Sequence, residues 1–178
     1  MKINIDIPEP FHELFEPSKQ WRHYCYYGGR ASAKSHTVAL FILVEGMHRK
    51  VRILCTREYQ NSIKESVHSL LSSLIDKHKL GSWEVTNDKI RNTRTGSEII
   101  FMGTHNNAQS IKCMENIGIV WCEEASTMSE ESMDILIPTI RAAGSFLIWT
   151  FNPITEFDPV WVRLAKDPDE RTYVKKVN

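Results

Sequence analysis

The sequence lacks an excess of charge of either sign. Lysine and arginine together number 22, aspartate and glutamate also number 22, and the formal net charge is zero. A strongly basic chain attracts nucleic acid or an anionic membrane through its overall field, and this chain has no such field. Any contact with DNA must come from a local basic patch, so the composition neither supports nor excludes a nucleic-acid partner.

Long hydrophobic runs are also missing. No apolar stretch approaches the roughly 18 residues of a membrane-spanning helix, and the chain does not open with a basic segment followed by an apolar one, as a secretory leader does. We therefore expect no membrane contact and a cytosolic location.

Paired metal-ligand spacings are absent as well. The four cysteines occur without a CxxC pair, and the seven histidines show no HExxH pattern. Such spacings mark zinc sites, and regular cysteine patterns mark disulfide frameworks. We expect free thiols, with Cys25 and Cys122 inside buried strands, and no transition-metal site.

Strand-like and helix-like segments alternate along the chain. Apolar runs predict strands at 21–27, 51–55, 117–122 and 145–151, and residues 89–103 predict two more strands around a polar turn. Helical spacing predicts helices from Ala33 to Gly46, over 58–80 before Gly81, and from a capping box at Thr127 and Glu130 to about Ile140. Asp158 and Pro159 are expected to begin a last short helix. Residues 1–20, with their three prolines, are expected to form an arm outside the core. The alternation predicts an α/β fold with a mainly parallel sheet flanked by helices.

A glycine-rich turn joins the first strand to the first helix. The segment YYGGRASAKS (26–35) matches the phosphate-loop pattern G-x-x-x-x-G-K-[ST] through Gly28, Lys34 and Ser35, with Ala33 in place of the second glycine. Backbone N–H groups of such a loop converge on phosphate oxygens, while the lysine and the hydroxyl serve the phosphates and Mg²⁺. We expect a polyphosphate site formed by Gly28, Gly29, Arg30, Ala31, Ser32, Ala33, Lys34 and Ser35, with a helical φ at Ala33 that tolerates a methyl group. The alternative is an ordinary turn with a solvated lysine.

Two acids follow the strand at 117–122. In IGIVWCEEAS the strand ends at Glu123 and Glu124. Because the carboxyl ends of parallel strands meet at one edge of a sheet, we expect both acids beside the loop. Glu123 is expected to hold Mg²⁺ through water, with Ser35 as the other metal residue, and Glu124 to orient and deprotonate an attacking water. Aspartate is more usual at the metal position. The alternative is two surface acids that open a helix.

Four further residues each have a functional and a structural interpretation. Arg30 either stabilises charge on a transferring phosphoryl group or is an exposed arginine with local partners. Asn152 either senses the γ phosphate or begins an Asn-Pro turn. Trp21 either stacks on adenine or belongs to the core. Arg57 either faces phosphates or DNA, or is exposed at the start of a helix.

Together these segments resemble the N-terminal ATPase part of the large terminase subunit of tailed bacteriophages, the motor that packages DNA into procapsids. The resemblance covers residues 20 to 155 approximately. It rests on YYGGRASAKS, on TREYQNSIKESV with Arg57, Gln60 and Ser66, on the acidic pair, and on WTFNP at 149–153. The likeness is to PBSX-type terminases and to a short-tailed, headful-packaging phage of enteric bacteria.

The resemblance implies a P-loop NTPase of the additional-strand catalytic-glutamate type that uses ATP and Mg²⁺. It implies catalytic roles for Arg30, Lys34 and Glu124, and a coupling motif at Thr150, Phe151 and Asn152 that links hydrolysis to movement. The implied partners are double-stranded DNA, the portal protein, the small terminase subunit and further copies of the chain in a ring. The implied location is the cytoplasm of the infected host and, transiently, the procapsid portal.

The same resemblance implies the domain boundaries. The ATPase domain is expected at 21–166, and a linker or lid is expected to begin within 167–178. No nuclease domain, and hence no nuclease activity, is expected in this chain.

Two other functions stay open from the sequence. A helicase or recombinase-like P-loop ATPase would unwind duplex DNA, whereas a packaging motor moves intact duplex. A non-hydrolysing nucleotide-binding module for assembly would bind ATP without releasing phosphate.

Overall fold

One sheet organises the chain. Among residues 6–59, 63–105 and 107–178, which the structure, a computed structural model, describes, eight strands form a single sheet. They are β1 (His23–Gly28), β2 (Arg52–Arg57), β3 (Trp83–Val85), β4 (Lys89–Asn92), β5 (Glu98–Gly103), β6 (Ile117–Glu123), β7 (Phe146–Phe151) and β8 (Thr172–Val177). Their order is β3-β4-β5-β2-β6-β7-β1-β8. β4 is antiparallel to β3 and β5, and the other neighbours are parallel.

Helices cover both faces of this sheet. They are α1 (His12–Phe15), α2 (Lys34–His48), α3 (Ser69–Lys77), α4 (Ala108–Lys112) and α5 (Glu130–Thr139), with π-helical segments at Lys64–His68 and Trp161–Ala165. One apolar cluster lies under α2 and α3, and a second lies under α4 and α5. The predicted α/β fold with a mainly parallel, helix-flanked sheet is confirmed. None of the helices in the described ranges is long and apolar enough to span a membrane.

The central strands are buried on both faces. In β6, Trp121 belongs to the cluster under α2 and α3, whereas Val120 and Cys122 belong to the cluster under α4 and α5. This double burial explains why the strand is an uninterrupted apolar run instead of an alternating one. Such runs predicted the central strands correctly, whereas the short β3 and α4 were not predicted.

The N-terminal arm was expected outside the core, and the structure corrects this for part of it. A 3-10 turn at Glu9–Phe11 continues into α1, and Phe11 and Leu14 are buried. The Phe11 ring stacks on Tyr26 of β1 with the ring centroids 4.6 Å apart. Tyr26 therefore has a partner outside the sheet, which local sequence pattern could not reveal.

The C-terminal residues also belong to the sheet. Residues 167–178 were expected to begin a linker or lid, but β8 lies within them and pairs in parallel with β1, Gly28 opposite Val177. Gly28 permits this approach: it has φ +151°, and a Cβ atom there would lie 1.8 Å from the carbonyl oxygen of Val177. The pairing joins segments far apart in sequence, so no local pattern predicted it.

Two helices end at residues other than the predicted glycines. α2 runs past Gly46 to His48, and α3 ends at Lys77, before Gly81. Gly46 instead lets the Trp83 ring pack against α2, because a Cβ atom at this position would lie 2.5 Å from Cη2 of Trp83.

The predicted capping box before α5 was wrong. Ser129, not Thr127, caps the helix, and its Oγ accepts a hydrogen bond from the Ser132 backbone at 3.2 Å. Thr127 lies in a 3-10 turn (Ala125–Thr127) that comes first, and its hydroxyl donates to the Glu124 carbonyl at 3.0 Å. The chain therefore turns once more after β6 before the helix begins.

Asp158 stabilises the loop before the last helical segment. Its carboxylate accepts hydrogen bonds from the backbone N–H groups of Ile154 at 2.7 Å and Thr155 at 3.1 Å. The Asp158 side chain was expected to cap the helix that follows it. It binds the backbone of Ile154 and Thr155 before it instead.

His23 is a buried histidine in the first strand of the sheet. It is 5% exposed, and its Nδ1 accepts a hydrogen bond from the indole Nε1 of Trp149 at 3.1 Å. Burial, and next the positive charge of Arg22, lower the pKa of His23 to about 4. The imidazole is therefore neutral in the folded protein at pH values where a free histidine is charged.

We predict that the free energy of unfolding falls as the pH is lowered from about 6.5 to 4, because the unfolded chain binds a proton at His23 that the folded chain does not. The full effect is on the order of 3 kcal/mol. Urea denaturation followed by circular dichroism at several pH values measures it. His23→Gln should flatten this dependence, and His48→Gln, at an exposed position, should leave it unchanged. The same slope in the His23→Gln and wild-type proteins would contradict the assignment.

Candidate functional site

A cleft lies at the carboxyl edge of the parallel strands, where the β1–α2 loop meets the ends of β6 and β7. Its volume is about 380 Å³. The predicted site residues that line it are Arg30, Ala31, Ser32, Ala33, Lys34, Ser35, Glu123, Glu124, Thr150, Phe151 and Asn152, and His36 lines it as well. His36 was not among the predicted site residues. Its place directly after Ser35, in the first turn of α2, was the available signal.

The loop backbone bends through the left-handed region at two alanines. Ala31 has φ +61° and Ala33 has φ +58°. The expected helical φ at Ala33 was therefore wrong: α2 begins at Lys34, and Ala33 is the left-handed residue before it. This conformation favours glycine because it brings a Cβ atom close to the backbone. The glycine that is usual at this position of the pattern would suit this backbone geometry. Ala33 adopts the same geometry with conformational strain.

The Lys34 ammonium folds back onto its own loop. It donates hydrogen bonds to the carbonyl oxygens of Gly28 at 3.2 Å and Gly29 at 2.8 Å, to Ser32 Oγ at 2.7 Å and to Asn152 Oδ1 at 2.8 Å. Burial lowers the pKa of Lys34, and the negative charge of Glu123 opposes that shift. These hydrogen-bond partners are neutral oxygens, so an anion that enters the cleft offers the ammonium a stronger partner.

Glu123 connects the loop to β6. Its Oε1 accepts a hydrogen bond from Ser35 Oγ at 2.8 Å, and its Oε2 accepts one from Arg57 Nε at 2.5 Å. Burial raises the pKa of Glu123, and the Arg57 charge and the Ser35 hydrogen bond oppose the rise. The carboxylate therefore depends on these partners to stay ionised in a largely dry position.

The donor set at Ser35 and Glu123 suits a hard cation such as Mg²⁺. A hydroxyl and a carboxylate oxygen already lie 2.8 Å apart, and both are ligand types that Mg²⁺ accepts. Within the described residues, no group of three or more His, Cys, Asp or Glu side chains is arranged around one metal position. Mg²⁺ characteristically completes its coordination with water and substrate phosphates, so this small protein donor set fits it.

Glu124 is held differently from Glu123. Its side chain is 59% exposed, and Oε2 lies 3.1 Å from Nη1 of Arg57. Its φ is +52°, a left-handed conformation, and its carbonyl accepts a hydrogen bond from the Thr127 N–H at 3.1 Å. The tight turn after β6 therefore separates the two carboxylates, one buried beside the loop and one facing the open cleft.

The end of β7 lies between the loop and the acids. Thr150 pairs with Glu123 across the sheet, and its Oγ1 accepts a hydrogen bond from Trp121 Nε1 at 2.9 Å. Asn152 follows directly and contacts Lys34, as described above. The segment predicted for coupling thus contacts β6 on one side and the loop lysine on the other.

Four predicted nucleotide contacts are absent from the lining of the cleft: Gly28 and Gly29, whose carbonyl oxygens bind Lys34, and also Trp21 and Arg57. Trp21 precedes β1, at the end of the strand opposite to the loop, and its indole N–H donates to Glu13 Oε1 at 2.6 Å. The Arg57 side chain pairs with both acids and is absent from the lining of the cleft. Ser66 lies in the Lys64–His68 segment away from the cleft lining, and Gln60 is outside the described residues.

Comparison with known protein families and curated relatives gives consistent matches. The family described as the phage terminase large subunit matches residues 20–177. The large terminase subunit of Bacillus phage SPP1 is 30% identical over 153 residues, covering 80% of this chain and 36% of that protein. The PBSX phage terminase large subunit of Bacillus subtilis is 27% identical over 151 residues, covering 83% and 35%. The chain thus spans about a third of the length of these relatives.

Solved structures share the architecture. The large terminase of the thermophilic bacteriophage D6E in complex with ATP-gamma-S superposes with a TM-score of 0.77 at 12% identity, covering 96% of this chain and 43% of that one. The N-terminal domain of the DNA packaging ATPase from bacteriophage phi29 gives a TM-score of 0.69 at 12% identity, covering 93% of each. At these identities the likeness establishes the fold.

We predict that Ala33→Gly stabilises the protein by up to about 1 kcal/mol. The substitution removes the strain of a left-handed alanine from the folded state, and this gain exceeds the extra conformational entropy that glycine gives the unfolded chain. Urea denaturation measures the change. Ala39→Gly, in the buried interior of α2, is the matched control and should destabilise by about 1 kcal/mol or more. A loss of stability in Ala33→Gly would contradict the left-handed backbone at this position.

Proposed function

The chain belongs to the phage terminase large-subunit family, and from that premise we propose that it is an Mg²⁺-dependent ATPase that powers translocation of viral double-stranded DNA into a procapsid. The observation that carries the proposal is the hydrogen bond from Ser35 to Glu123, which joins a phosphate-type loop to an acidic strand end at the rim of one cleft. An ordinary glycine-rich turn does not require a hydrogen bond to an acid at the end of another strand.

The first role of these residues is to bind the triphosphate. In the proposed mechanism the backbone N–H groups of the loop and of the α2 N-terminus surround the phosphate oxygens. The Lys34 ammonium exchanges its carbonyl and Asn152 partners for the β and γ phosphates. Bound Mg²⁺, held by Ser35 and by Glu123 through water, would neutralise charge on the phosphates.

The second role is to activate water and stabilise the transferring group. The open-facing Glu124 orients the attacking water and accepts its proton, while Arg30, exposed on the loop at the rim of the cleft, stabilises charge on the phosphoryl oxygens. Thr150, Phe151 and Asn152 couple loss of the γ phosphate to motion. The contact between Asn152 and Lys34 supports this, because it changes when the lysine turns to a phosphate.

The proposed setting follows from the family. Double-stranded DNA, the portal protein, the small terminase subunit and further copies of this chain in a ring are the proposed partners. The proposed location is the cytoplasm of the infected bacterium and, during packaging, the procapsid portal. A linker or lid toward a further domain is proposed to follow the sheet, in which β8 is an edge strand.

We predict that Glu124→Gln retains ATP binding and lowers turnover by about 10²-fold or more, as loss of a general base does. Phosphate release and binding of a fluorescent ATP analogue give the two quantities. Glu131→Gln, an exposed acid in the first turn of α5, is the matched control and should have wild-type turnover. Undiminished hydrolysis in Glu124→Gln would reject the role of Glu124.

ATP binding without phosphate release in the wild-type chain, even with DNA and portal added, would favour a non-hydrolysing assembly module.

Arg30→Ala is predicted to reduce kcat more than it weakens nucleotide binding, because the guanidinium acts on charge that develops during transfer. Steady-state kinetics and equilibrium binding separate the two effects. Arg94→Ala, in the exposed turn between β4 and β5, serves as the control. Equal losses in kcat and in affinity would make Arg30 a binding residue only.

A further inference from the structure

We propose that Arg57 is a positioning residue: its guanidinium sets the relative placement of the metal-binding acid Glu123 and the water-activating acid Glu124. The proposal rests on the functions assigned to those two acids above. It differs from the sequence-based expectation, in which Arg57 contacts phosphates or DNA directly.

The geometry of the guanidinium carries the proposal. Nε donates to Glu123 Oε2 at 2.5 Å, Nη2 pairs with the same oxygen, and Nη1 lies 3.1 Å from Glu124 Oε2. A planar group with donors on three nitrogens binds two carboxylates at a fixed angle, which a lysine ammonium on a flexible stem does not do. Arg57 thus fixes the spacing between two acids that have different proposed roles.

The position of Arg57 favours this role over direct contact with a ligand. The residue is 9% exposed and is absent from the lining of the cleft. Its positive charge offsets the mutual repulsion of Glu123 and Glu124 and the cost of burying Glu123. Glu123 and Glu124 both line the cleft, whereas Arg57, which pairs with them, does not.

The backbone that carries Arg57 is itself fixed. The Arg57 carbonyl accepts a hydrogen bond from the Thr104 N–H at 2.9 Å, and the Glu58 carbonyl accepts one from the His105 N–H at 2.9 Å. These bonds extend the pairing of β2 with β5 past the end of both strands. The guanidinium therefore projects from a well-anchored strand end, as a positioning group requires.

The next residue, Glu58, holds the far end of the same acidic segment. Its buried carboxylate accepts hydrogen bonds from Ser129 Oγ at 3.0 Å, from the Ser129 N–H at 3.3 Å and from Ser132 Oγ at 3.2 Å. Arg57, the last residue of β2, pairs with Glu123 and Glu124, while Glu58, the residue after it, binds Ser129, the N-cap of α5. Residues 57 and 58 therefore contact the chain before and after the turn that follows Glu124.

Arg57→Ala and Arg57→Lys test the proposal. In Arg57→Ala we expect kcat for ATP hydrolysis to fall about 10- to 100-fold, as when a group that orients a metal ligand is lost, while the Kd of a fluorescent ADP analogue stays near the wild-type value. Arg57→Lys should give an intermediate kcat because its ammonium cannot hold both carboxylates. Arg52→Ala is the matched control, since Arg52 lies at the other end of β2 and pairs with Glu98.

The results that overturn the proposal are a wild-type kcat in Arg57→Ala, or a loss of ADP affinity as large as the loss of kcat. The second result would restore Arg57 as a nucleotide contact. If thermal denaturation shows Arg57→Ala unfolded at the assay temperature, Arg57→Lys carries the same test: lower kcat with unchanged Kd supports the proposal, and no loss or equal losses overturn it.

A stability measurement separates this proposal from the proposed function. If the wild-type chain neither binds ADP nor releases phosphate, the proposed ATPase function fails. The free energies of unfolding of Arg57→Gln, Glu123→Gln and the double variant still report the contact. Non-additive effects support the positioning contact, and additive effects contradict it.

Discussion

Parallel pairing of β2, β6, β7 and β1 is the constraint on which the rest of the site depends. Tyr27 of β1 pairs with Phe151 of β7, and Thr150 of β7 pairs with Glu123 of β6, so three strands end at nearly the same level. Because all four strands run the same way, the groups that follow them meet at one edge of the sheet. A one-residue slip would exchange the side chains that pack in the two apolar clusters, such as Trp121 and Val120 in β6, so packing on both sheet faces fixes the register.

Charge balance in a partly dry cleft is the second organising feature. Arg57 pairs with Glu123 and Glu124, Ser35 donates a hydrogen bond to Glu123, and Lys34 donates to neutral oxygens that include Asn152 Oδ1. A triphosphate adds negative charge, and a divalent cation offsets part of it. The neutral carbonyl and amide partners of Lys34 are the contacts most easily exchanged. In the proposed mechanism, phosphate binding would therefore release Asn152 from its hydrogen bond with Lys34.

The site could be predicted from sequence to the extent that its signals are local. The loop and the acidic pair each occupy a few consecutive residues, so both were predicted, and the alternation of strands and helices predicted the mainly parallel sheet. The left-handed φ of Ala33 was not, because an alanine does not reveal its backbone conformation as a glycine does. The partners of Arg57 were not predicted because they come from a strand distant in sequence. Burial of Phe11 and pairing of β8 likewise depend on contacts between distant segments.

A crystal structure of this chain with a slowly hydrolysed ATP analogue and Mg²⁺ tests the proposed ATP site most directly. We expect the triphosphate to be surrounded by residues 28–35, Lys34 Nζ to contact the γ phosphate in place of Asn152 Oδ1, and the cation to lie beside Ser35 and Glu123. Glu124 should face the side from which water attacks. Ordered crystals with an accessible but empty loop at saturating analogue would contradict the proposed ATP site.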